Sequence, residues 1–328
     1  LSGPVTRSDF EAALRGIDPH TGVSLARLGG KNQNHTAGWD VTFSAPKSVS
    51  VLWALSDAQH RPIIERAQSA AVTAASTYLE RSAAFARRGK GGAIREPTTG
   101  LLLAEFDHHT SRELDPQLHT HVFVFNLAPR NDGTWGAIVS RDLYKAQKQA
   151  GAVYREALAT ELERAGFAIE RTSSNFRVTT ISRDIERAYS KRRVAIESAA
   201  EAHGYRSAKG MELAALRTRG PKRDVSRQQL FEAWRAEAKV LGFDLAREEL
   251  IRSTSREGHA RSVPANPRPV MVANVRTERP EASVPAAIGK LSNAARALDQ
   301  RASMPGVAVE LAQRERLTKR RRREPERQ

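Results

Sequence analysis

The sequence predicts an α/β fold of the α+β kind, with strands paired mainly as antiparallel hairpins and amphipathic helices around them. Three observations predict it. Residues 118–128 (LHTHVFVFNLA) form the strongest strand signal in the chain. Asn131-Asp132-Gly133 is a hairpin-turn signal leading into a second β-prone run. Long segments near 61–88 and 142–165 repeat apolar residues at helical spacing.

Taken in order, residues 2–16 read as a short helix, with Ser8 as the cap before Phe10, Ala13 and Leu14. Residues 17–37, rich in Gly, Asn and His, read as a loop. Trp39, Val41 and Phe43 alternate with Asp40, Thr42 and Ser44, the pattern of a half-buried strand. Pro46 ends that strand, and a helix follows from Lys47 to Leu55. A longer helix spans about Arg61 to Arg88, with Ile64, Ala67, Ala71, Ala75 and Leu79 on one face. Lys90 to Gly92 form a basic turn, and residues 101–107 a strand. The strong strand at 118–128 leads through the turn to a strand around Trp135 to Val139. A helix over 142–165 closes at Gly166. A hairpin occupies 167–181, and helices then dominate to about residue 250, one of them capped by Ser226 before Leu230, Trp234 and Ala238.

The chain has 328 residues, of which 40% are hydrophobic and 27% charged, with a net charge of +16. It is long enough for one large domain or two smaller ones. The charge favours a polyanionic partner, with nucleic acid the first candidate. More than half of the net charge lies beyond residue 251. That stretch carries five prolines between 261 and 290 and ends KRRRREPERQ. It reads as a basic, disordered linker and tail over 251–328, after a folded domain over 1–250. The absence of cysteine excludes disulfides and thiolate zinc sites and fits a cytoplasmic protein. No apolar run approaches membrane-spanning length, so no membrane insertion is expected. Leu1 opens no signal peptide. The chain has no GxxxxGK[ST] loop, and no ATPase activity is expected of it.

His119 and His121 stand two apart in the strong strand, so both side chains point to one face. His108 lies at the end of the preceding strand. If the two strands pair, it returns to that same face. Three neutral imidazoles can hold one cation and leave other positions open to water or substrate. An HxH pair also arises in strands with no ligand role, and on the residues alone that alternative stays open. Two other HxH sites fit poorly. A cupin places Glu four residues past the pair, where Phe125 stands, and a metallo-β-lactamase site places Asp-His soon after it, where Val122-Phe123-Val124 stand.

The stretch H108-H-T-S-R-E-L-D-P-Q-L-H-T-H121, followed by V-F-V-F-N, resembles the three-histidine motif of the MobF conjugative relaxases, the TrwC/TraI type of histidine–hydrophobe–histidine (HUH) endonuclease. G38-W-D-V-T-F-S-A-P-K-S48 resembles that family's second signature. The likeness continues through T98-T-G, N131-D-G-x-W135 and G151-A-V-Y154 to about residue 250. The resemblance implies the HUH relaxase fold, a mostly antiparallel central sheet flanked by helices. It implies a divalent metal ion (Mg, Mn or Zn) on His108, His119 and His121. It implies metal-assisted nicking of single-stranded DNA at a transfer origin, with single-stranded and origin hairpin DNA as partners. Relaxosome accessory proteins and a coupling protein would be further partners in a bacterial cytoplasm.

By the same resemblance Asp40 matches the motif acid, which accepts the nucleophile's proton or orients a ligand histidine. Lys47, Arg95 and Arg112 would contact DNA. Ordinary readings stand beside these: a helix-start lysine, a solvated basic stretch with Arg87, Arg88 and Lys90, and a loop salt bridge between Arg112 and Asp115. Asn126 could serve the site or end its strand. The family commonly has an acidic residue where His109 stands. Its nucleophilic tyrosine lies within its first few dozen residues, and L1-S-G-P-V5 resembles the segment that follows, so the tyrosine is expected upstream of this chain. None of Tyr78, Tyr144, Tyr154, Tyr189 and Tyr205 is assigned that role. The alternatives are an origin-binding module without cleavage and a metal-dependent phosphodiesterase using water.

Overall fold

The computed structural model describes residues 3–26, 36–221, 223–243 and 272–274. All of them fall in one compact unit, Leu1–Arg276. The chain runs α1 (Arg7–Leu14), β1 (Gly38–Ser44), α2 (Lys47–Leu55), α3 (Arg61–Ala83), β2 (Phe85–Arg88), a short 3-10 turn, β3 (Ile94–Pro97), β4 (Leu103–Thr110), β5 (Pro116–Phe125), β6 (Ala128–Pro129) and β7 (Trp135–Gly136). It continues with α4 (Ser140–Arg164), β8 (Ile169–Arg171), β9 (Phe176–Val178), α5 (Arg183–Ala188), α6 (Lys191–Ala202), α7 (Ala208–Arg217), α8 (Arg227–Val240) and β10 (Val272–Asn274).

The principal sheet has the order β1-β5-β4-β10. β5 pairs antiparallel with both β1 and β4, while β10 runs parallel to β4. Gly38 opens β1 because a Cβ there would meet the Val124 carbonyl at 2.2 Å. Three two-stranded ribbons, β2-β3, β6-β7 and β8-β9, complete the strand pairing among the described residues.

Strand alternation sorts the sheet into two faces. Val41 and Phe43 of β1, Leu118, Val122 and Val124 of β5 and Leu103 of β4 point to one face and are buried. Helices α2, α3 and α4 cover it with Val51, Ile64, Ala71, Ala75, Leu79, Leu158 and other buried apolar residues. Phe43 meets the Tyr154 ring of α4 at 5.3 Å. The other face carries Asp40, His108, His119 and His121, and among the described residues α1 covers one end of it. There the Phe10 ring packs edge-on against Phe106, Phe123 and Phe125 at 5.1–5.5 Å. Burying Phe10 contributes on the order of 2–3 kcal/mol, enough to hold a short helix that is weak alone.

Several elements differ from the sequence expectation. The cap of α1 is Thr6, not Ser8, because Asp9 completes a capping box with Thr6. α3 stops at Ala83, and Phe85–Arg88 become a strand, since their backbone finds partners in β3 and at Ile138. β4 extends to Thr110 and so includes His108 within its paired length. The strand at Trp135 is only two residues long. Of the expected linker and tail, Val272–Asn274 form β10, and the remainder lies outside the described residues, as do 27–35 and 244–250.

Candidate metal centre

The β4–β5 hairpin brings the three histidines together. His108 pairs across the ladder with His119, and Phe106 with His121, which puts all three imidazoles on the open face. Ring centroids lie 4.9 Å apart for His108–His121, 5.2 Å for His119–His121 and 5.3 Å for His108–His119. One ligand atom from each lies within 4.8 Å of the others.

Local partners decide which ring nitrogens face the centre. His119 Nδ1 lies 2.8 Å from the Gln117 carbonyl, and a carbonyl only accepts, so this nitrogen carries the proton. Nε2 keeps its lone pair. Burial pushes the His119 imidazole down to about 4, against the opposing Gln117 bond, so it is neutral at pH 7. His121 Nδ1 donates to Asp40 Oδ2 at 2.8 Å, with Thr42 Oγ1 3.1 Å from the same nitrogen. This is the carboxylate–histidine arrangement that fixes a ligand's tautomer and raises its basicity. An all-imidazole donor set, with His119 and His121 presenting Nε2, fits a divalent cation.

The tip of the hairpin is held by three helices. Lys47 Nζ of α2 donates to the Pro116 carbonyl at 2.8 Å. Trp234 Nε1 of α8 donates to the Leu114 carbonyl at 2.8 Å. The Arg192 amide of α6 donates to Asp115 Oδ2 at 3.0 Å. Leu114 takes a left-handed φ of 60° to make this turn. Burial lowers the Lys47 ammonium and raises the buried Asp115 carboxyl, with each charge opposing the other's shift.

The structure thus brings Asp40, His108, His119 and His121 into one constellation. Lys47 is spent inside the protein, on a carbonyl 69 residues away, rather than pointing outward. Arg95 is occupied by Asp142 at 2.7 Å and by the Phe85 ring at 3.2 Å. Arg112 sits half-buried in the hairpin turn, and Asp115 pairs with the α6 backbone and Ser111 instead of with it. Asn126 bridges the Thr36 carbonyl and the Ile138 amide, a structural role at the end of β5. Tyr154 and Tyr189 are buried, their hydroxyls donated to Gln68 and to the Trp234 carbonyl.

Sequence reasoning missed the network on the covered face. Thr120, between the two histidines of β5, donates to Asp107 Oδ1 at 2.7 Å and accepts from Gln68 Nε2 at 3.2 Å. Gln68 Oε1 accepts from the Tyr154 hydroxyl at 2.6 Å. Glu105 meets Ser76 nearby at 3.4 Å. Burial, then the charge of Asp107, raises the Glu105 carboxyl to about 7. A signal was present: Gln68 and Ser76 each follow a buried apolar residue of α3, Ile64 and Val72, by four positions.

Known proteins resemble this chain over about three quarters of its length. The family description "TrwC relaxase" matches residues 1–241. The multifunctional conjugation protein TraI of Escherichia coli K12 is 32% identical over 254 residues, covering 75% of this chain and 14% of TraI. The chain therefore spans about a seventh of the length of that relative. A metal-bound structure of the conjugative relaxase TrwC in complex with oriT DNA is 34% identical at TM-score 0.68, covering 75% of this chain and 86% of that one. TrwC complexed with a 27-mer DNA comprising the recognition hairpin and the cleavage site is 35% identical at the same TM-score, covering 75% and 88%.

Proposed function

The chain belongs to the TrwC relaxase family, and from that premise we propose that it binds single-stranded DNA at a transfer origin and supports its metal-dependent nicking. The observation that carries this reading is the open face of the β4–β5 hairpin, where His108, His119 and His121 converge beside Asp40. A divalent cation bound there supplies Lewis-acid polarisation of a phosphodiester oxygen. The protein's own residues do the rest. His119 and His121 present Nε2 because Gln117 and Asp40 hold their Nδ1 protons. Asp40 is partly exposed, so its carboxylate can also accept a proton from an attacking hydroxyl while bonded to His121. α1 and the Phe10 cluster wall one end of the face and keep the cation's surroundings apolar there.

The DNA strand and the origin hairpin are the proposed partners, as in the TrwC complexes. Accessory proteins of the relaxosome, a coupling protein and a bacterial cytoplasmic location belong to the same proposal. No helix of the described residues is long and apolar enough to cross a membrane.

A second reading, binding without covalent cleavage, is favoured by one observation. Tyr78, Tyr144 and Tyr154 lie on helices, Tyr189 ends α5 and Tyr205 lies in the loop between α6 and α7, so none of the five stands on the strands of the site. One assay separates the readings: supercoiled origin plasmid, metal and protein, with and without protease treatment. Transesterification predicts a nick with protein attached to the 5′ end. Cleavage without attached protein points to water as nucleophile. A shift in mobility with no nick leaves a binding module, and no binding at all overturns the proposal.

A further inference from the structure

A second charged cluster lies where α2, α3 and α8 meet, and the metal chemistry does not use it. Arg61 opens α3, and Arg227 and Arg235 lie on α8. Arg61 Nη2 donates to the Ser56 carbonyl at the end of α2 at 2.7 Å, and Arg235 Nη2 donates to the same carbonyl at 3.2 Å. The Arg61 guanidinium lies 3.7 Å from the Phe231 ring centroid. That of Arg227 lies 5.6 Å from both the Phe231 and Trp53 centroids.

Negative charge is short here. Glu65 Oε1 receives both Trp53 Nε1, at 3.0 Å, and the Arg227 guanidinium. Asp57 is engaged by the side chain and amide of His60 and by the amide of Gln59. Capping the end of α2 takes one guanidinium, and Arg61 already bonds the carbonyls of both Trp53 and Ser56. Glu65 balances Arg227, so the surplus of positive charge rests on Arg61 and Arg235, which share the Ser56 carbonyl. Desolvation, then repulsion from Arg235 and Arg227, pushes the Arg61 guanidinium below its ordinary value.

The cluster adjoins the metal centre through one aromatic contact. The Trp53 ring stacks on His109 at 4.9 Å, and His109 is the chain neighbour of His108. Trp53 and Phe231 are buried, so neither offers a face for a base. The Arg227 side chain is half exposed and Arg235 is exposed, so guanidinium donors reach solvent. Planar forks of this kind match phosphate oxygens.

We propose that Arg61, Arg227 and Arg235 form a backbone-phosphate site for the DNA strand held at the metal centre. The site rests on the functional reading above and adds a second point of attachment, where α2, α3 and α8 meet.

The test measures binding of a labelled single-stranded origin oligonucleotide to the full chain across a range of NaCl concentrations. It compares wild type, Arg227→Gln/Arg235→Gln and Arg227→Lys/Arg235→Lys. Each lost phosphate contact lowers the salt slope for single strands by about 0.7, so the glutamine variant is expected to lose about 1.4. Its affinity at low salt should fall about tenfold. The lysine variant should recover the slope, and metal affinity should be unchanged in both. If the double variant does not fold, Arg235→Gln alone keeps both Arg61 bonds to α2 and should lose about 0.7 in slope.

An unchanged slope and affinity in folded glutamine variants overturns the site while the functional reading stands. Failure of wild type to bind the oligonucleotide overturns both. Inorganic phosphate is the third probe. If it raises the unfolding temperature of wild type but not of the glutamine variant, while DNA binding is equal in the two, the cluster takes free phosphate and the DNA assignment is overturned.

Discussion

His119, Thr120 and His121 are consecutive residues of β5, yet the two faces of the sheet treat their polar atoms in opposite ways. On the open face each imidazole of the pair spends one nitrogen on the protein and keeps the other available. On the covered face the Thr120 hydroxyl is spent twice, on Asp107 and Gln68, and the Gln68 oxygen is spent on Tyr154. Function needs unspent donors and acceptors, and these are tolerable only where water can reach them. Stability needs every buried one paired. A period of two residues satisfies both demands within one strand.

Four substitutions can break or sharpen that contrast. The largest effect is expected on the open face. His121→Ala should lower divalent-cation affinity by more than about 100-fold, beyond the loss expected for an outer partner, with little change in unfolding temperature. Calorimetric titration with manganese checks this, and retained affinity would show that the imidazoles do not act as a set.

On the covered face the next effect depends on pH. The folded-state value of Glu105, about 7, lies above its ordinary 4.5. The stability it contributes is fully present below pH 4.5 and is lost as pH rises through 7, with an upper bound of roughly 3 kcal/mol. Glu105→Gln should flatten that loss. Urea unfolding of both proteins at pH 5 and pH 8 measures it, and parallel curves would remove the carboxyl from the account.

Asp40→Asn should cost about 10- to 100-fold in metal affinity, because Asp40 fixes His121 without being one of the three imidazoles. The same titration reads it, and an effect as large as that of His121→Ala would mean that Asp40 is itself a ligand. Thr120→Val should cost about 1–2 kcal/mol of stability, by orphaning the Gln68 amide, and leave metal affinity nearly intact. A variant that loses metal instead would show that the two faces are not separable.

The sequence displays one side of this contrast better than the other. The His-x-His alternation, the capped helices and the hairpin at 167–181 are local patterns, set by periods of two and 3.6 residues. The shared face of His108 follows once β4 and β5 are paired. What stayed hidden depends on partners far along the chain. Lys47 finds Pro116, Arg95 finds Asp142, and Phe85–Arg88 leave the helical pattern because β3 and Ile138 supply a ladder. A basic side chain reads alike in sequence whether its charge meets solvent, a carbonyl or a ring.

The turn from Ser111 to Asp115 has a consequence for how the metal centre can fail. Helices α2, α6 and α8 fasten Pro116, Asp115 and Leu114 individually, so the number of residues between the two strands is pinned. Deleting one of them would advance β5 by a single step. That would drive His119 and His121 under the helices and turn Thr120 and Val122 outward. Such a change does not loosen the centre by degrees but turns it inside out, so the count of residues in this turn matters to the metal centre as much as the histidines themselves.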